Sequence, residues 1–370
     1  MKIPFLDLNR SQKDIRKQID EAIKNVIDEG NFILGSQVNK FEEELNRYFG
    51  VKHSISVASG SDALFLALKA IDIKEGDEVI TTPFTFFATA GAISRCNAKP
   101  VFVDIDQDYN INTEKIKEVI TKKTKAIIPV HLFGLPCNMN KIMKIAKDYN
   151  LKVIEDSAQA FGTKFEGKKI SSFGDAGCLS FFPTKNLGGV GDGGAIITND
   201  DELAEKIRIL RVHGSKPKYY NKYIGINSRL DTLQAAILLV KFPYLEKWNK
   251  QRNEAAKIYN DLLKNVKEIS CPVYLNGRTY NLYSIIIDEE NRRNKLMEYL
   301  TKEGIGTGIY YPFPLHLQEC YLGLGYKEGD FPETEKVCKS ILSIPLFPGI
   351  TKEEQEYIVS KIKEFFIKGE

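Results

Sequence analysis

The stretch "TKAIIPVHLF", Thr124 to Phe133, is apolar on consecutive positions instead of alternating ones. An antiparallel strand with one wet face alternates, so a continuous apolar run reads as a strand covered on both faces, as in a mostly parallel sheet wrapped by helices. The surrounding chain repeats the pattern. "SISVAS" (54–59) is followed by the helical "SDALFLALKAI" (61–71), and "DEVITTP" (77–83) by "FFATAGAISRCN" (86–97) and "KPVFVDI" (99–105). After Phe133 come the helical "NMNKIMKIAKDYN" (138–150), "LKVIEDS" (151–157), "GCLSFF" (177–182) and "GAIITN" (194–199). Strands alternating with helices predict an α/β fold.

The pattern changes after "DELAEKIRILRVHG" (201–214). A Tyr- and Lys-rich segment, "SKPKYYNKYIGINSR" (215–229), leads into a helical stretch from about Leu230 to Leu263, which Pro243 should kink or break. Beyond it lie the strand-like "TYNLYSIIID" (279–288), the helical "NRRNKLMEYLTKEG" (291–304), the loop-rich "GIYYPFPLHLQECYLGLG" (308–325) and the amphipathic "KEEQEYIVSKIKEFFIKG" (352–369). Two units are expected: a large one over 1–245 and a smaller α+β one over 246–370.

Composition narrows the function classes. The 370 residues are 43% apolar and 27% charged, ordinary for a soluble globular chain. The net charge of +3 comes from scattered lysines, with no basic block to engage nucleic acid. No run approaches the roughly 18 apolar residues of a membrane span, and "MKIPFLDLNRSQKD" has no signal-peptide core. Six cysteines without a CxxC pair read as reduced thiols, so a cytoplasmic location is expected. Four histidines show no metal-ligand spacing.

Three short segments carry chemistry. In "VASGSDALFLAL" (57–68) a strand runs through Gly60 and Ser61 into a helix, whose free N–H groups can hold an anion such as phosphate; taken alone, an ordinary N-cap by Ser59 or Ser61 is the plainer explanation. In "KVIEDSAQAFG" (152–162) Asp156 stands at the carboxyl end of a strand, where α/β proteins place ligands; it can hold a protonated heterocyclic nitrogen or cap the next helix. In "SFFPTKNLGG" (180–189) Lys185 sits in an apolar, constrained stretch, either a snorkelling side chain or an amine activated by burial. The literal G-x-G-x-x-G from Gly189 to Gly194 raises a dinucleotide site, but "GAIITND" after it reads as a strand where that fingerprint needs a helix. Phosphate cradle, aspartate and activated lysine are together the requirements of pyridoxal phosphate, which accounts for all three segments at once.

The chain resembles the DegT/StrS sugar-nucleotide aminotransferases, pyridoxal-phosphate enzymes of the aspartate-aminotransferase fold (fold type I). The likeness runs nearly end to end through "PFLDL", "GNFILG", "VASGSDAL", "TTPFTFFATA", "EDSAQAFG", "PTKNLGGVGDGG" and "NSRLDTLQAAIL". The resemblance implies that Lys185 is the Schiff-base lysine and Asp156 the partner of the ring nitrogen. It places Gln159 near the ring hydroxyl and Phe86 on the ring face. Gly60, Ser61, Asp62 and the Ser180 hydroxyl would hold the phosphate, with Asn227 supplied by the partner in a homodimer. A related branch with histidine in place of the lysine dehydrates sugars; Lys185 implies transamination, with L-glutamate as amino donor. "HGSKPKYYNKYIGINSRLD" and "GTGIYYPFPLHLQ" are similar to the branch that aminates the C-3 ketone of dTDP-linked 6-deoxyhexoses. Lys216, Tyr219, Tyr310, Tyr311 and His316 are then expected at the substrate. Tyr310 stands where that branch commonly has histidine, and Phe182 where tyrosine is frequent. A C-4 aminotransferase of the same family and a non-catalytic, cofactor-bound regulator are the alternatives.

Overall fold

A computed structural model describes residues 1–287 and 290–368 of the chain. The ends of two stretches quoted above, Asp288 and Gly369, lie outside these residues. The large unit is built on a seven-stranded sheet of β1 (His53–Val57), β2 (Glu78–Thr81), β3 (Lys99–Phe102), β4 (Thr124–Ile127), β5 (Lys152–Asp156), β6 (Ala176–Ser180) and β7 (Gly194–Thr198). Their order across the sheet is β1-β7-β6-β5-β4-β2-β3. The pairs from β3 to β6 are parallel, while β7 runs antiparallel to both β6 and β1.

The apolar runs are strands for the reason their composition gives: both faces are covered. On one face β1, β5 and β7 pack against the helices Gly60–Ala70, Ala88–Arg95 and Asp201–Leu210, with Ile55, Ile154 and Ile196 inaccessible to solvent. On the other, Phe41, Leu45, Leu179 and Ile197 pack with the helices Ser36–Phe49 and Thr232–Lys241. The strand in "TKAIIPVHLF" stops at Ile127, two residues before Pro129, which has no N–H for a ladder. Beyond it Val130 makes one parallel bridge to Asp156. At Pro243 the expected break is a single 3₁₀ turn, Phe242–Tyr244, between the helices Thr232–Lys241 and Leu245–Leu263.

The C-terminal unit holds a three-stranded antiparallel sheet of β8 (Ile269–Ser270), β9 (Tyr283–Ile287) and β10 (Ile341–Ile344), with β9 in the middle. The helices Leu245–Leu263, Glu290–Lys302 and Lys352–Lys368 close over it. The start of the chain joins this unit. Ile3 pairs in parallel with Ile305 and sits in the same core as Tyr259, Ile285 and Phe365, so residues before the first helix pack with the C-terminal sheet.

All six cysteines are free thiols, and among the described residues no cluster of potential metal ligands forms. Among those residues no helix is long and apolar enough to cross a membrane. The glycines from Gly189 to Gly193 form a loop running into β7, with Val190 N–H donating to Gln234 Oε1 at 2.9 Å. No helix follows them, so the dinucleotide fingerprint has neither of its structural partners.

Candidate active site

A cavity of about 630 Å³ opens at the carboxyl ends of β5 and β6, between the large sheet and the C-terminal unit. Residues 60, 61, 86, 156, 159, 180, 185, 310 and 311, nine of those expected from the sequence, line it together. Volume and position match a small-molecule pocket of an α/β protein.

Asp156 ends β5 at the cavity floor and is 6% exposed. Thr89 donates its hydroxyl to Asp156 Oδ2 at 2.7 Å, and Ala158 N–H donates to Oδ1 at 3.2 Å. Because Thr89 Oγ1 gives its proton to the carboxylate, the 3.0 Å contact from Thr85 Oγ1 makes Thr85 its donor. Burial pushes the Asp156 carboxyl upward, and the bonds from Thr89 and Ala158, with Lys185 and His131 nearby, oppose the rise. A buried carboxylate in this position gains from any cation brought against it. The neighbouring Glu155 points to the other face. There it accepts N–H bonds from Ser171, Phe173 and Gly174, each at 2.8 Å, and one from His131 at 3.1 Å. His131 Nδ1 accepts from Cys137 N–H at 3.1 Å, which places the ring proton on Nε2, facing Glu155.

Lys185 follows a tight turn whose Phe182 carbonyl accepts the Lys185 N–H at 2.9 Å. Its amine has no hydrogen-bond partner among the described residues, and burial lowers its pKa to about 8, with Asp156 opposing. A free amine is therefore accessible near neutral pH, as a nucleophilic lysine needs.

The phosphate-sized corner is shaped by missing side chains. A Cβ on Gly60 would fall 2.7 Å from Ser180 Cβ, so only glycine lets this helix start approach β6. Ser59 Oγ takes the Asp62 N–H at 3.1 Å, which leaves the Gly60 and Ser61 N–H groups at the cavity wall without partners among the described residues. An anion meets two free donors, the dipole end of a helix and the hydroxyls of Ser61 and Ser180. Phosphate corner, buried carboxylate and unpartnered amine in one cavity fit pyridoxal phosphate.

Five expected residues stand elsewhere. Asp62 points off the side of the helix and pairs with Arg95 at 3.1 Å, so it does not line the cavity. His316 is fully buried, its Nε2 3.1 Å from Glu335 Oε1 and its ring 4.6 Å from that of Phe331. Its side chain cannot reach a substrate, which corrects the expectation. Lys216 pairs with Glu205 on the surface, Tyr219 is 82% exposed and Asn227 is exposed; none of the three lines this chain's own cavity. Gln159 lines it with both ends of its amide engaged, accepting from Phe133 N–H and donating to Tyr311 OH, each at 2.9 Å. Phe86 leans on Tyr311, with ring centroids 6.3 Å apart, and Tyr310 stacks on Phe5. Sequence reasoning missed Thr85, Asp192 and Asn281 on the cavity wall, and Thr89 behind Asp156. The one available signal was the position of Thr85 and Thr89, four apart at a helix start.

The family model described as the DegT/DnrJ/EryC1/StrS aminotransferase family matches residues 13–363. The chain belongs to this family. It is 50% identical to a "Pleiotropic regulatory protein" of Geobacillus stearothermophilus, over 99% of each chain. Identity is 44% to a dTDP-3-amino-3,6-dideoxy-alpha-D-galactopyranose transaminase of Aneurinibacillus thermoaerophilus, covering 98% of this chain and 99% of the relative. It is 42% to a UDP-N-acetyl-3-dehydro-alpha-D-glucosamine 3-aminotransferase of Acidithiobacillus ferrooxidans, covering 98% and 97%. The crystal structure of DesV from S. venezuelae in complex with a ketimine intermediate superposes with a TM-score of 0.95 at 36% identity, over 98% of both chains. The fold is that of the pyridoxal-phosphate aminotransferases, the cofactor is pyridoxal phosphate, and the protein is a sugar-nucleotide aminotransferase.

Three outcomes follow from the site. Capture of cofactor by the apoprotein requires the uncharged Lys185 amine, so its rate rises with pH through a midpoint near 8. Asp156→Asn moves that midpoint down, because the carboxylate is what holds the ammonium form up; stopped-flow absorbance checks both, and a rate flat from about pH 7 to 9 contradicts them. Thr89→Val leaves Asp156 Oδ2 without its short donor, and a hydrogen bond to a charged group carries roughly 1.5–3 kcal/mol. Turnover should fall about 10- to 100-fold with cofactor still bound, and Thr89→Ser should restore it.

Proposed function

We propose that this chain moves the amino group of L-glutamate to the C-3 ketone of a dTDP-linked 6-deoxyhexose. The observation that carries the chemistry is the pairing, in one cavity, of the unpartnered Lys185 amine with the buried Asp156 carboxylate. The choice of sugar is supported by the 44% identical dTDP-sugar transaminase. A UDP-linked 3-keto sugar is the second reading, because a UDP-sugar 3-aminotransferase is nearly as similar. Lys185 and Asp156 are both present, which favours an enzyme over a purely regulatory protein.

Bound pyridoxal phosphate supplies an aldehyde to carry the amino group and a ring that withdraws electrons. The chain's residues do the rest. Asp156, kept anionic by Thr89 and Ala158, holds the proton on the ring nitrogen. Lys185 Nζ holds the cofactor and then, once displaced, moves the proton at the reacting carbon. Gly60, Ser61 and Ser180 bind the phosphate, Phe86 covers the ring, and Tyr310 and Tyr311 face the sugar. Misplacing the ketone by about 1 Å can cost on the order of a hundredfold in rate, so the wall at Tyr310 and Tyr311 fixes which carbon is aminated.

The working form is a homodimer. Large apolar side chains are exposed around the start of the helix Thr232–Lys241: Phe32, Ile33, Leu34, Val190 and, in the preceding loop, Ile224 at 96% exposure. Phe32 O accepts the Thr232 N–H at 3.0 Å and Gln234 Oε1 accepts the Val190 N–H at 2.9 Å, which ties residues 32–34 and Val190 to this helix start. A second copy covers this face, and Asn227, Lys216 and Tyr219 act on the partner's cavity, which explains why none of them lines their own. The nucleotide-linked substrate and six free thiols go with a cytoplasmic location.

Incubation with glutamate and separate dTDP- and UDP-linked 3-keto and 4-keto sugars, read by mass spectrometry and product NMR, tests the substrate. The dTDP 3-keto sugar should turn over fastest; nitrogen at C-4 alone refutes the regiochemistry and leaves transamination standing. Light scattering should give a dimer, and Ile224→Asp should weaken it together with turnover. A fully active monomer at assay concentration refutes the shared site.

A further inference from the structure

Behind the Lys185 turn, on the side away from the active-site cavity, lies a second cavity of about 20 Å³. Two cations line it, Lys241 and Arg252, each 3% exposed. Among the described residues neither makes an ion pair with a carboxylate. Lys241 Nζ donates to the Gly188 carbonyl. Arg252 donates to the carbonyls of Asn281 at 3.2 Å and Leu346 at 3.1 Å, and its Nε has no partner among the described residues. Asp7 reaches the same cavity, but its carboxylate is committed elsewhere: Oδ1 accepts the Arg10 N–H at 3.1 Å and Oδ2 lies 3.3 Å from Arg10 Nε. Arg10 in turn holds Glu354 at 2.7 Å. Two buried positive charges facing one small space, opposed by carbonyl dipoles and by one carboxylate that Arg10 already holds, is a costly arrangement, since a buried ion needs an opposite charge to offset its lost hydration. Burial depresses both groups, Lys241 to about 8 and Arg252 to about 10.

The other walls include Leu6, Trp248 and Phe347, apolar surfaces that suit a large, weakly hydrated anion. We propose that this cavity is a halide site, occupied by chloride, which neutralises Lys241 and Arg252 and braces the back of the turn carrying Lys185. Lys185 lines both cavities, so an ion here supports the strand-to-turn segment that positions the catalytic amine.

The test uses the holoenzyme at constant ionic strength, with gluconate, too large for the cavity, replaced stepwise by chloride or bromide. The melting temperature should rise saturably with either halide, and Lys241→Met should abolish the dependence. Crystals of the wild-type protein grown in bromide decide the matter even if that variant fails to fold. Anomalous scattering should show bromine between Lys241 Nζ and the Arg252 guanidinium at submolar bromide. A cavity holding water alone, bromine that enters only at molar concentration (an adventitious ion only), or a halide-independent melting temperature overturns the proposal.

Discussion

A helix start can touch the end of a neighbouring strand only where no Cβ intervenes, and the active site depends on two such approaches. Gly60 lies against Ser180 at the end of β6, and Gly194, opening β7, lies against Ser59, whose carbonyl would be 2.4 Å from an added Cβ. These contacts draw the first turn of the helix Gly60–Ala70 onto the sheet edge where β5 delivers Asp156. The donors of the phosphate corner and the carboxylate of the floor thus share one rigid frame. The turn bearing Lys185 follows directly from β6, so its amine is carried by the same strand that Gly60 packs on.

Charge at the site is arranged by burial more than by pairing. Asp156 is pushed toward its neutral form and Lys185 toward its free amine, and each opposes the shift of the other. Bringing a cationic ring nitrogen to Asp156 relieves the first shift, and bonding the amine relieves the second. The protein therefore holds two groups whose strained ionisation is released by the same ligand. Thr89, through one 2.7 Å bond, keeps that balance on the anionic side.

Much of this was legible in the residues. Continuous apolar runs marked the strands of the large sheet, Pro243 marked the helix break, and glycines followed by a strand excluded the dinucleotide fingerprint. Gly60, Asp156 and Lys185 were legible only together: a helix start, a strand end and an apolar turn each had a plainer explanation, and one cofactor accounted for all three. Burial was not legible. His316 looked like a binding residue among tyrosines and prolines, yet its ring faces Phe331 and Glu335 inside the core. Asp62 sat in the right motif, but helical geometry turned it toward Arg95. Thr89 was hidden because its partner lies 67 positions away, a contact that only the folded sheet creates.

The path of the chain has a consequence for how it folds. Ile3 and Phe365 share one core, so the C-terminal unit is assembled from both ends of the chain, with the whole large sheet threaded between them. In chain order the large sheet precedes Ile305 and the helix Lys352–Lys368, so the segment around Ile3 meets its partners only after that sheet has been made. Leu6, on that waiting segment, also lines the active-site cavity. The wall of the pocket therefore closes last, and a chain cut short anywhere before its final helix lacks part of the core that seats it.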